Sequence, residues 1–96
     1  MSRKKELLVL GKLDGLTSKE AHFLVVAVEK NAQTIYWEKD AEEVRTLIVK
    51  KLLEELPDDA PLLYKPFSIP RFVWEHIRQQ AVLEDLKAKD TEAPIV

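Results

Sequence analysis

The chain has 96 residues and a mass of 11.1 kDa, which bounds it to one small domain. Hydrophobic residues make up 46% and charged residues 33%, a globular rather than a disordered composition. Fifteen lysines and arginines stand against seventeen aspartates and glutamates, for a net charge of −2. That balance excludes a uniformly cationic nucleic-acid coat but leaves room for a local basic patch. Cysteine is absent, which removes disulfide scaffolds, thiol nucleophiles, iron–sulfur clusters and thiolate zinc sites. Two glycines, Gly11 and Gly15, are too few for a phosphate-cradling loop.

At the start, Arg3-Lys4-Lys5 precedes an apolar stretch, Leu7-Leu8-Val9-Leu10, that Gly11-Lys12 ends after four residues. A secretory signal needs about 7–15 apolar residues, and a membrane span about 20. The longest later apolar run, 21–28, contains His22. A cytoplasmic protein without a membrane segment is the expectation. Residues 6–10 read as a short helix, with an edge strand as the alternative.

Thr17-Ser18-Lys19-Glu20 is a capping box opening an apolar run, in which Ala21, Leu24, Val25 and Val28 form a helical stripe. The spacing predicts a helix over 18–31. Three valines and Phe23 also suit a buried strand, so a hairpin over 22–38 is the alternative. Thr34-Ile35-Tyr36-Trp37 is β-branched and aromatic and reads as extended in either case, with Leu62-Leu63-Tyr64 as a pairing partner. Over 40–56, Asp40 and Glu43 make a second capping pattern. Ala41, Val44, Ile48, Leu52 and Leu56 recur at three- and four-residue steps, predicting a helix that Pro57 stops. Pro57, Pro61, Pro66 and Pro70 then exclude any helix crossing the connector. A last helix is expected from the Ser68 cap, with Pro70 in its first turn, to about residue 87 or 89. The single domain then spans 1–89, followed by a flexible tail over 90–96. Fold class is mainly α, with three to four helices and at most a minor β element; the alternative is α+β with the hairpin at 22–38.

Residues that could carry chemistry are sparse. His22 and His76 are the only imidazoles, and Gln80 stands where a zinc-protease helix would need a second histidine. Asp58-Asp59 reads as a solvated turn. Thr17, Ser18 and Ser68 are better explained as helix caps than as nucleophiles. No catalysis, cofactor or metal is expected.

The last segment is the most informative. On a straight wheel Val73, Trp74, Ile77 and Ala81 form one arc, and Phe72, Val82, Leu83 and Leu86 form another, nearly opposite. One arc can face the domain core; the other needs a different cover. The expected function is therefore non-enzymatic binding or regulation through protein–protein contacts. Phe72, Trp74, Val82, Leu83 and Leu86 are the contact residues, toward a protein partner or, as a homodimer, the chain's own copy.

A second reading rests on Leu16-Thr17-Ser18-Lys19-Glu20 with Phe23-Leu24, on Arg45-Thr46, Ile48 and Lys50-Lys51-Leu52, and on the stretch 61–67. This half of the chain resembles the winged-helix effector domains of bacterial response regulators: the helix opening, the recognition helix and the wing respectively. The resemblance implies a DNA-binding transcriptional regulator in which Arg45, Lys50 and Lys51 contact DNA. Glu42, Glu43, Glu54 and Glu55 on the same predicted helix would repel phosphate, which ranks nucleic acid second.

Overall fold

The computed structural model describes residues 3–57 and 63–91. Within them the chain runs α1 (Arg3–Gly11), a 3-10 turn (Lys12–Gly15), α2 (Ser18–Glu29), β1 (Thr34–Glu38), α3 (Glu42–Val49), β2 (Glu54–Glu55), β3 (Tyr64–Ser68), α4 (Arg71–Ile77) and α5 (Gln80–Thr91). Among the described residues, five α-helices and a small three-stranded sheet make the fold mainly α or α+β, with more helices than the three or four expected. Asp58-Asp59, Leu62 and the end of the tail lie outside the described residues.

The capping box at α2 forms as its sequence requires. Thr17 Oγ1 accepts from the Glu20 amide at 3.2 Å, and Glu20 Oε1 accepts from the Thr17 amide at 2.8 Å. Residues 18–29 are thus a helix, and the hairpin alternative over 22–38 is overturned. β1 pairs instead with β3, antiparallel, with Ile35 opposite Phe67 and Glu38 opposite Tyr64. β2 adds to the other side of β3, giving the order β1-β3-β2.

α3 is shorter than the 40–56 helix the spacing predicts. It begins after Ala41, with no side-chain cap from Asp40, and ends at Val49. The end is a Schellman motif: the Leu52 amide reaches Leu47 O at 2.9 Å and the Lys51 amide reaches Ile48 O at 3.0 Å. The same pair of bonds closes α2, from Ala32 to Ala27 O and from Asn31 to Val28 O. Asn31 and Lys51 accordingly have φ of 53° and 66°. Asparagine tolerates this region; lysine does so at a cost, and the usual glycine signal is missing from the sequence. Leaving the helix here brings Leu52 and Leu53 into the core and starts β2. Lys51→Gly is therefore expected to raise stability by about 0.5–1 kcal/mol, read as a higher denaturation midpoint; a lower midpoint would contradict the left-handed cap.

The expected last helix is two helices. Ser68 ends β3, Pro70 occupies the N-cap position, and the chain turns at Arg78–Gln79 between α4 and α5. No proline or glycine marks the turn; packing does. A straight helix would aim its two apolar arcs in opposite directions. The break redirects the second half, so that Val73, Trp74 and Ile77 from α4 and Leu86 from α5 all enter one core. α5 lies along α2 and continues to Thr91, past the expected start of the tail at 90. The core they complete is built around Phe23, Leu24, Val44, Leu47, Phe67 and Ile69.

Candidate functional site

Three places gather side chains with binding or chemical potential. The first is a polar bridge inside the fold. Glu20 is 0% exposed. Its Oε1 holds the Lys50 ammonium at 2.8 Å, so the start of α2 is tied to the end of α3. Burial pushes this carboxyl up, but hydrogen bonds from Lys50 and the Thr17 amide, with the charge of Lys50, hold it below the ordinary glutamate value. The Thr46 hydroxyl donates to Glu43 O at 3.2 Å, and Oε2 has no hydrogen-bond partner among the described residues. The arrangement is structural: it ties the start of α2 to the end of α3.

The second is a depression of about 240 Å3 lined by Ser18, Lys19, His22, Glu43 and Asp90. His22 Nδ1 lies 3.2 Å from both Asp90 carboxylate oxygens, pinning α5 to α2. Glu43 Oε2 accepts from Trp37 Nε1 at 3.0 Å, and the Trp37 ring meets Phe23 edge-on at 4.7 Å. An oriented imidazole can shuttle protons, but a nucleophile needs a hydrogen bond to it. Ser18 makes none with His22 among the described residues. His76 sits apart, on α4, beside Leu7, Leu10 and Phe72. Among the described residues no cluster of three or more histidines and carboxylates could hold a metal ion.

The third is an open groove of about 1000 Å3 between α1 on one side and α3, β2 and α4 on the other. Leu8, Val9, Ile48, Leu53 and Phe72 supply its apolar lining, and Lys5, Glu6, Lys12, Lys51 and Glu54 its rim. Four consecutive apolar residues give α1 too much grease for one helix face. Val9 and Leu10 turn partly inward, whereas Leu7 and Leu8 remain 62% and 71% exposed.

The contact residues expected from sequence divide among these surroundings. Trp74 and Leu86 are core residues, 6% and 1% exposed, so a docking role for either is corrected. Trp74 carries Arg78 stacked over its ring at 5.4 Å. Val82 and Leu83 are half-buried against the same core; Phe72, also half-buried, lines the groove. Leu7 and Leu8 were missed. Their signal was present, as an apolar run too dense for one face of a short helix.

The residues expected to contact DNA stand in different surroundings. Arg45 and Lys51 are exposed, but Lys50 is committed to Glu20 and Gly15 O. Residues 50–52 leave the helix, and one helix only, α3, lies between β1 and β2. No described helix is long and apolar enough to cross a membrane. No family model, curated protein or solved structure matches this chain.

Proposed function

We propose that this chain is a non-enzymatic binding module that works through protein–protein contacts, with the groove beside α1 as its docking surface. The observation that carries the reading is the coincidence of this apolar groove with an exposed leucine, Leu8, on the helix that walls it. Apolar lining with a charged rim is the anatomy of a protein interface, and Leu8, 71% exposed, adds an uncovered leucine to that lining. At about 25 cal/mol per Å2, covering such side chains contributes several kcal/mol before association costs are subtracted. Phe72 keeps the role expected of it from sequence; Leu8 takes the place of the core residues Trp74 and Leu86.

A photo-crosslinking residue at Leu8 tests this directly in cells expressing the protein. Adducts are expected to map, by peptide sequencing, to one defined apolar segment of one protein. The same label at Arg45, on the outer face of α3, is expected to yield none. Adducts scattered over abundant proteins, or equal labelling from Arg45, would overturn the groove as the docking surface.

A further inference from the structure

The geometry points to a second copy of this chain as the occupant of the groove, in an antiparallel, two-fold pairing of α1 with α1. This inference rests on the docking surface proposed above and names what fills it.

Charge placement is the first support. Lys12 follows the C-terminal end of α1, in the 3-10 turn. The end of α3 lies against that same turn, because Lys50 Nζ reaches Gly15 O at 3.5 Å, and Lys51 is its neighbour in sequence. Lys12 and Lys51 therefore make one end of the groove basic. Glu6 and Glu54 share a second depression with Ser68, Pro70, Arg71 and Phe72, which places them at the other end, near the start of α1. None of these four charged side chains has an ion-pair partner among the described residues. Lys5 also lines the groove next to Glu6, and Glu55, already paired with Lys65, lies next to Glu54, so that end is acidic only on balance; a groove acidic at one end and basic at the other is complementary to itself under a two-fold axis across its middle. Antiparallel docking sets Glu6 and Glu54 of each copy against Lys12 and Lys51 of the other, and an isologous interface makes this contact twice.

Apolar placement is the second support. A nine-residue helix is about 13–14 Å long, and α1 is both one wall of the groove and an apolar ridge beside it. Leu7 and Leu8 are the apolar side chains the ridge would insert, and Leu8 already faces the groove.

Sedimentation equilibrium on the full chain and two charge-reversed variants tests the pairing. The wild type is expected to be a dimer at micromolar concentration, and Leu8→Glu a folded monomer. Lys12→Glu/Lys51→Glu and Glu6→Lys/Glu54→Lys each place like charges at both contacts. Each is expected to weaken self-association at least tenfold, about 1.4 kcal/mol, with unchanged circular dichroism. Mixing the two variants restores opposite charges at both contacts, and a heterodimer as tight as the wild type is expected. The gain should fall as salt screens the rim. A wild type that stays monomeric at high concentration, or reversals that neither weaken nor rescue association, overturns the second copy as occupant. In that case adducts from Leu8 to a different protein would leave the groove as a docking surface. The absence of any specific adduct would remove both readings.

Discussion

Lys50→Met is expected to cost about 2–3 kcal/mol of folding stability and to invert the dependence of stability on pH near the carboxylate range. Breaking a buried ion pair by removing one partner typically costs about 3–5 kcal/mol, since the remaining charge is stranded. The Lys50 side chain retains 28% exposure, which places the expected cost at or below the lower end of that range. The pH dependence follows from Glu20. In the wild type its folded pKa lies below its unfolded value. The folded state then binds fewer protons, so the stabilisation is fully present above the unfolded pKa and is lost as pH falls through the folded one. Without Lys50, burial becomes the leading influence and pushes the folded pKa above the unfolded value. That group then gains stability on acidification in the adjoining window, as pH falls from the raised folded pKa to the unfolded value. Denaturant titrations from neutral pH to below the ordinary glutamate pKa should show Lys50→Met gaining stability from this group above that value and the wild type losing it below. Glu20→Gln/Lys50→Met, which removes both charges, should recover most of the lost stability and flatten the slope. Parallel pH profiles for wild type and Lys50→Met would show that the pair contributes little.

Leu86→Asp should unfold the protein rather than release a folded monomer. Read on a straight helix, Leu86 belongs to a free apolar arc and could accept a carboxylate without loss of helicity. In the fold it is 1% exposed on α5, among core residues. Leu86→Ala is expected to cost about 2–5 kcal/mol through lost burial and the cavity left behind. Aspartate adds an unpaired buried charge to that cost, against a total stability of about 5–15 kcal/mol for a domain of this kind. Loss of the far-ultraviolet helical signal at room temperature is the expected readout. Leu8→Glu, at an exposed position on α1, should stay within about 0.5 kcal/mol of the wild type. Full helicity in Leu86→Asp would mean that α5 does not dock on α2. The contrast matters for any interface experiment: aspartate substitutions in α5 test folding, whereas those on α1 test association.

Local chemistry determined much of this protein from sequence alone. The α2 start was legible because Thr17 and Glu20 satisfy each other's amides within three residues, with no help from the rest of the chain. The extended character of β1 followed from its β-branched and aromatic residues, and the helix-free connector from its prolines. The capping pattern at Asp40 and the periodicity through Leu56 were equally regular and still misleading. Regularity measures what a segment could do alone; at Lys51 the core offered Leu52 and Leu53 more burial outside the helix than inside it. The two arcs of the last segment were correctly seen, but their meaning was not. Only the tertiary structure decided that the helix would break at Arg78–Gln79, turning Leu86 of a supposed outward face into core and leaving Val82 and Leu83 half-buried against it. The candidate site moved for the same reason. Burial is a property of the assembled chain: packing consumed Trp74 and Leu86, left Leu7 and Leu8 uncovered on α1, and drew Lys50 inward to a carboxylate thirty residues away in sequence.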